Sequence, residues 1–338
     1  MDFVAVGHLT IDQTPRGPRP GGAAYYAAIT AHRQGLRVGL LTSFGPDFPR
    51  DALPAGIHVV NVLSERTTVF TIGPGRIAEG RRVRQLSVLS RAADLEAASL
   101  PEAWREASLG ALCPVVAEVD PALAGAFSDT PLAALPQGWM RQRGPGGLVS
   151  PQPWEDADLV LPHVQSVVVS IEDIEPFQKE ALEWFQRVPL GAVTRGAEGA
   201  VLFVNGERYG VEADRAVEVD ETGAGDVFAT ALLIAYNRDG NAWDAAAAAA
   251  CCAAASVEAE GVAGIPERAA LEARIAAYRR RLGGCRPASL AAPPVAGLHF
   301  RGGHRWMADR KIRITVGTIT SDAVLNDTKT AAAIWDAL

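Results

Sequence analysis

One stretch limits what this chain can fold into more than any other: Val219-Asp220-Glu221-Thr222-Gly223-Ala224-Gly225-Asp226-Val227-Phe228. Alternating Val217 and Val219 predict a short strand before it, and the run from Val227 to Tyr236 is apolar on nearly every face. Such a run predicts a helix buried inside a larger domain, so the stretch reads as strand, turn and internal helix. Gly223 and Gly225 can take backbone angles closed to other residues. Successive N–H groups can then point into one space, where the helix N-terminus adds partial positive charge. The turn is a candidate anion hole. Asp226 at its rim would repel a bound phosphate unless it had a task such as accepting a proton from an attacking hydroxyl. Taken alone, these residues leave a second reading open, a helix N-cap whose glycines serve a tight turn.

At 338 residues, 48% hydrophobic and 21% charged, the chain can bury a large core and carry an appendage. Its formal charge of -7 offers no electrostatic footprint for nucleic acid, and no Lys/Arg tract is long enough to read as a tail or membrane patch. Phe3-Val4-Ala5-Val6 lacks the basic flank and long apolar core of a signal peptide. No apolar run approaches the ~20 residues of a bilayer span, so a cytoplasmic protein without nucleic-acid or membrane partners is expected. Cys113, Cys251, Cys252 and Cys285 form no C-x-x-C pair, which predicts buried thiols rather than a zinc site or disulfide framework.

Asp220-x-Thr222-Gly223-Ala224-Gly225-Asp226 followed by an apolar helix resembles the signature of the ribokinase-like (PfkB) carbohydrate kinases. The resemblance implies a ribokinase-like three-layer α/β/α sandwich over residues 1–282, with a mostly parallel sheet and a small β lid. It also implies transfer of the ATP γ-phosphate to an alcohol, with Asp226 as base and the Gly223, Ala224 and Gly225 amides around the phosphoryl group. Three further stretches agree. Phe3–Val6 reads as a buried strand, and Asp12 follows in the loop at its carboxyl end, where ligands of open α/β sheets collect. The family places there an Asp that binds substrate hydroxyls; the residues alone also fit a solvated loop Asp. His8 reads as local packing. Gly21-Gly22-Ala23-Ala24, a helix, and the strand from Val38 to Thr42 resemble the family's N-terminal signature, with Gly22 near the substrate. Tyr26 stands where many sugar kinases carry Asn, which resembles the inositol-kinase-like branch; its ring either faces the substrate or fills helix packing. Ala192 to Leu202 reads as strand, Gly turn, strand, or a plain hairpin. The resemblance assigns Thr194 and Gly196, with Thr222, to the nucleotide.

Leu132 to Leu135 predicts a strand with Gln137 and Arg141 near its carboxyl end, which makes Arg141 a candidate for substrate. Ala111 to Val119 predicts its neighbour. The strand from Ser166 runs into Ser170-Ile171-Glu172-Asp173, where the family carries Asn-x-x-Glu to hold hydrated Mg2+. Asp173 matches through a water, or Glu172 substitutes, since Mg2+ needs few carboxylates. The residues alone fit a Ser cap with acidic first-turn residues. A monovalent cation such as K+ near Asp220 and Thr222 is implied by some family members.

Only Gln13 to Pro20 separates Asp12 from Gly21, which predicts a small lid with its remaining strands at about 57–88: Val59–Leu63, Thr67–Ile72 and Val83–Val88. Arg81, Arg82 and Arg84 would form a solvated face or reach a phosphate. Trp243 to Glu258 predicts a packed helix, and in the family this helix and the loop Glu260 to Pro266 wall the adenine. Residues 283–310 read as a linker by composition. Residues 311–338 predict a hairpin and one helix, resembling the opening of a small cyclophilin-like domain without a share in catalysis. The reading is an ATP- and Mg2+-dependent kinase of a small sugar or cyclitol. The alternatives are a non-catalytic sensor of such polyols and a nucleoside kinase stacking a base on Tyr26. Nothing in the sequence sets the oligomeric state.

Overall fold

The computed structural model describes residues 1–73, 76–78, 81–83, 85–282, 310–316 and 319–325. The apolar runs become strands in chain order: β1 (Phe3–Val6), β2 (Thr10–Thr14), β3 (Gly17–Gly21), helix α1 (Ala23–Arg33), β4 (Val38–Phe44) and β5 (His58–Leu63). Next come β6 (Thr68–Ile72), β7 (Arg76–Ala78), β8 (Arg81–Val83), β9 (Leu86–Ser90), β10 (Leu109–Leu112), β11 (Leu132–Ala134), β12 (Arg141–Arg143) and β13 (Val149–Pro151). Helix α2 (Ala157–Val160) leads to β14 (Ser166–Ser170), α3 (Ile171–Ile174), α4 (Gln178–Phe185), β15 (Leu190–Thr194), β16 (Ala200–Val204) and β17 (Glu207–Val211). Helices α5 (Ala224–Asp239), α6 (Ala242–Ser256) and α7 (Arg268–Arg281) follow.

Nine strands form one sheet in the order β17-β16-β15-β14-β11-β10-β1-β4-β5. Every pairing from β15 to β5 is parallel, and only β15–β16 and β16–β17 are antiparallel. Parallel strands must be covered on both faces, and β1 and β4 are buried along their whole length. Strand alternation sorts the two faces. Phe3, Ala5, Leu40, Ala111 and Ala192 share one core with α1, α5 and α6. On the other face Gly39 and Gly191 leave room for large rings: a Cβ on Gly39 would stand 3.1 Å from the Trp104 indole, and one on Gly191 would collide with Phe185. Phe185 in turn stacks on Phe203 with centroids 4.2 Å apart. The alanines of α6 let it lie close against α5, and Asn241 caps it by accepting from the Trp243 and Asp244 amides.

A second sheet, β3-β2-β6-β9, forms the lid. Here the structure corrects several expectations. Asp12 is not in a loop but in the middle of β2, paired across the hairpin with Arg19 of β3. The short interval from Gln13 to Pro20 is therefore a lid hairpin in itself. Val59–Leu63, expected in the lid, belongs to β5 at the edge of the main sheet, parallel to β4. The alternation at Val217 and Val219 makes no strand. Both side chains are exposed, and the segment is instead tied to α6 by the Val219 and Asp220 amides donating to the Val257 carbonyl at 2.7 and 3.1 Å. The strand expected over Ala111 to Val119 ends at Leu112.

The chain divides into two compact units, Met1–Pro294 and Val295–Leu338. In the second, β18 (Arg310–Val316) and β19 (Ile319–Leu325) pair antiparallel from Arg310↔Leu325 to Val316↔Ile319, the hairpin that the alternation predicts. The Arg81, Arg82 and Arg84 side chains, Cys285, the linker 283–309 and the helix expected over 329–338 lie outside the described residues.

Candidate active site

The carboxyl ends of β11, β14 and β15 lead straight to Gln137, Ser170 and Thr194, and α5 starts opposite them. Gly223 is the residue before α5 and takes φ 78°, a left-handed angle that a side chain would strain. It also has no space for one, because a Cβ there would collide with the Tyr26 ring. Tyr26 is 3% exposed, so its ring is the packed floor of the turn rather than a free face for a ligand. Burial first, then the Asp12, Asp220 and Asp226 carboxylates, push its phenol well above the ordinary range.

Gly225 differs from the expectation, since it lies in the first turn of α5 and needs no special angle. A Cβ there would meet nothing closer than the Thr194 hydroxyl, at an ordinary contact distance of 3.9 Å. The Ala224 amide donates to the Glu221 carbonyl at 3.2 Å and so closes the turn. Gly225 and Asp226 occupy the helical start, where amides have no intrahelical partner and attract anions.

Asp226, three positions into the helix, does not cap it. Its Oδ1 accepts from Gln137 Nε2 at 3.3 Å, and Arg141 Nη2 donates to Gln137 Oε1 at 2.8 Å. Arg141 is anchored by donating through Nη1 to the Val115 carbonyl at 3.2 Å. Arg141 thus reaches Asp226 through one amide, and its charge also acts on Asp12 and Asp173. Desolvation pushes the Asp226 carboxyl up to about 7; Arg141 opposes this, while Asp173 and Asp12 add to it. Asp12 is 8% exposed and accepts from the Thr10 hydroxyl at 2.8 Å. Burial raises it to about 6 against the pull of Thr10 and Arg141. A Cβ on Gly21 would collide with this carboxylate, and one on Gly22, the residue before α1 at φ 103°, would collide with the His8 carbonyl. His8 is buried, with Nε2 2.8 Å from the Ala93 carbonyl and Nδ1 2.7 Å from the Thr68 hydroxyl, in agreement with a packing role.

Ser170 caps α3 by accepting from the Glu172 amide at 3.2 Å, which realises the capping reading of that stretch. Burial raises the Asp173 carboxyl, opposed by Arg141, whereas Glu172 on the same short helix is exposed. Three carboxylates, Asp12, Asp173 and Asp226, therefore share one guanidinium. That surplus of negative charge fits a hydrated Mg2+, which needs one or two protein carboxylates and otherwise binds water and phosphate. Thr194 sits at the end of β15, and Gly196 follows at φ 54° with open space around it.

Asp220 and Thr222 do not fit a free monovalent cation. Asp220 Oδ1 accepts from the Thr222 amide at 3.1 Å, and Oδ2 accepts from the Gly261 amide at 3.0 Å and from Arg19 Nη1 at 2.9 Å. Burial alone would raise this carboxyl; those hydrogen bonds and the Arg19 charge outweigh it and hold it below its ordinary value. Sequence reasoning missed Arg19, although it stands directly before Pro20-Gly21-Gly22.

Residues 147–268 match the model of the pfkB family carbohydrate kinases. In solved structures the chain superimposes on a pyrophosphate-dependent kinase in the ribokinase family, complexed with a pyrophosphate analog and myo-inositol. The TM-score is 0.65 at 21% identity, over 80% of this chain and 99% of that one. The fold is ribokinase-like. A fructokinase double mutant from Vibrio cholerae, bound to fructose, ADP and a potassium ion, shares this ribokinase-like fold with a TM-score of 0.62 at 21% identity, over 81% of this chain and 98% of that one. A cytidine kinase of Thermococcus kodakarensis is 25% identical over 262 residues, which cover 70% of this chain and 89% of the relative. No helix among the described residues is long and apolar enough to cross a membrane.

Proposed function

We propose that the protein transfers the γ-phosphoryl group of ATP to a hydroxyl of a small sugar or cyclitol. The observation that carries this reading is the Asp226–Gln137–Arg141 chain at the lip of an anion-binding helix start. In the step, Asp226 takes the proton from the acceptor hydroxyl as its oxygen forms a bond to the γ-phosphorus. The bond from that phosphorus to the bridging oxygen breaks, and its electron pair leaves on ADP. The Gly223 and Gly225 amides steady the phosphoryl group in flight, and Asp12 accepts hydrogen bonds from the other acceptor hydroxyls. Asp173 would hold Mg2+ through water, where the ion supplies charge neutralisation at the phosphates. A base is most effective with its pKa near the working pH, and about 7 for Asp226 meets that condition. Thr194 and Gly196 line the donor side.

The known relatives act on different acceptors, and one uses pyrophosphate, so the reading rests on this site. Tyr26 bears on the choice: its ring is buried against Gly223 and offers no platform for a nucleoside base, which favours a sugar or cyclitol. The test is ADP release from ATP with Mg2+ across inositols, pentoses, hexoses and nucleosides, with Asp226→Asn as control. Turnover on a sugar or cyclitol is expected, reduced ~10²- to 10⁴-fold in the variant. Equal turnover in Asp226→Asn would refute the assignment. A polyol that raises Tm without any ADP release would support a sensor instead.

A further inference from the structure

A carboxylate held in its charged form beside an anion hole works against phosphate binding unless a cation offsets it. Asp220 is such a carboxylate, two residues before Thr222 and three before Gly223, and the cation on it is Arg19. The pair is mostly buried, with the two side chains 23% and 13% exposed, so solvent screens it little. The guanidinium also reaches Glu260 at 3.3 Å, and Arg16, from the turn of the same hairpin, pairs with that glutamate. Asp220 meanwhile accepts from the Gly261 amide, which binds the donor loop to the turn. Arg19 comes from β3 and lies opposite Asp12 of β2 in the hairpin register. One lid rung thus carries the acceptor carboxylate on one strand and the donor-side cation on the other.

We propose that the Arg19 guanidinium is a built-in cation of the donor site, occupying at Asp220 the position where a monovalent cation is otherwise expected, so that donor binding and turnover need no K+. The inference rests on the kinase reading above. Arg19 acts through Asp220 and the loop it holds, which makes it a positioning residue. A guanidinium fixed by the lid cannot exchange with solvent, and its charge is present whenever the hairpin is seated.

The test compares KCl with tetramethylammonium chloride at fixed ionic strength, reading Kd for Mg2+ and AMP-PNP by calorimetry alongside turnover. Wild type is expected to give the same Kd and turnover within about twofold in both salts. Arg19→Met should bind the nucleotide about 10- to 100-fold more weakly in tetramethylammonium, the loss typical of a charge-assisted hydrogen bond, and K+ should restore part of it. Arg19→Lys, which keeps the charge, should remain insensitive to K+. A wild type whose Kd or turnover improves more than fivefold with K+ overturns the proposal, as does an Arg19→Met variant indistinguishable from wild type in both salts. The wild-type series requires no variant, so it decides the matter even if Arg19→Met does not fold. Nucleotide binding without turnover of any acceptor would overturn the kinase reading while the salt comparison still decides the role of Arg19; absence of nucleotide binding in either salt would overturn both.

Discussion

As the base proposed above, Asp226 has to be charged to take a proton, yet its surroundings resist the charge, and this tension is measurable. Its carboxyl is raised to about 7 by desolvation, so turnover should fall as pH drops below 7, by about tenfold per unit once protonation dominates. The stability consequence has the opposite sense. The folded-state pKa lies above the ordinary carboxylate value of 3.8, so ionisation costs stability fully above about 7 and not at all below 3.8. Asp226→Asn should therefore be more stable than wild type in urea at pH 8, whatever turnover it loses. The gain should shrink through pH 6 and vanish near pH 4. Denaturation midpoints at the three pH values check this. Asp226 was legible in the sequence because its turn and helix are contiguous. Its partner Gln137 lies 89 positions away, and Arg19 lies 201 positions from Asp220; no local pattern joins such pairs.

At the scale of elements, sequence patterns worked where burial enforced them. The continuous apolar runs of β1, β4 and α5 follow directly from enclosure on all sides. They misled where the same alternation suits more than one place. Val217 and Val219 alternate but lie outside every sheet with both side chains exposed, and the alternation of β5 suits a lid strand as well as the main-sheet edge that it occupies. Strand β3, Gly17-Pro18-Arg19-Pro20-Gly21, can hold two prolines because it lies at the lid edge. The paired faces of the main sheet make a sharper prediction. Gly191→Ala would drive a methyl into the Phe185 ring that stacks on Phe203, and the overpacking should cost about 1–3 kcal/mol. Urea unfolding of the variant measures it, with nucleotide Kd expected to change little because Gly191 faces away from the cleft.

For the whole molecule, the first compact unit contains every residue of the candidate site. A chain ended after Leu282 should accordingly keep its turnover and Tm within error of the full chain, as read by the ADP-release assay and a thermal melt. The distribution of the site along the chain has a further consequence, for its order of manufacture. The lid hairpin leaves the ribosome well ahead of its anchors, since Asp220 and Glu260 are made more than 200 positions after Arg16 and Arg19. At roughly 5–20 residues per second, Arg16 and Arg19 wait about 10–50 s for their partners. During translation the growing chain can lay down β1, β4 and their neighbours before the Gly223–Asp226 turn exists, so the proposed nucleotide site cannot form until most of the first unit has been synthesised.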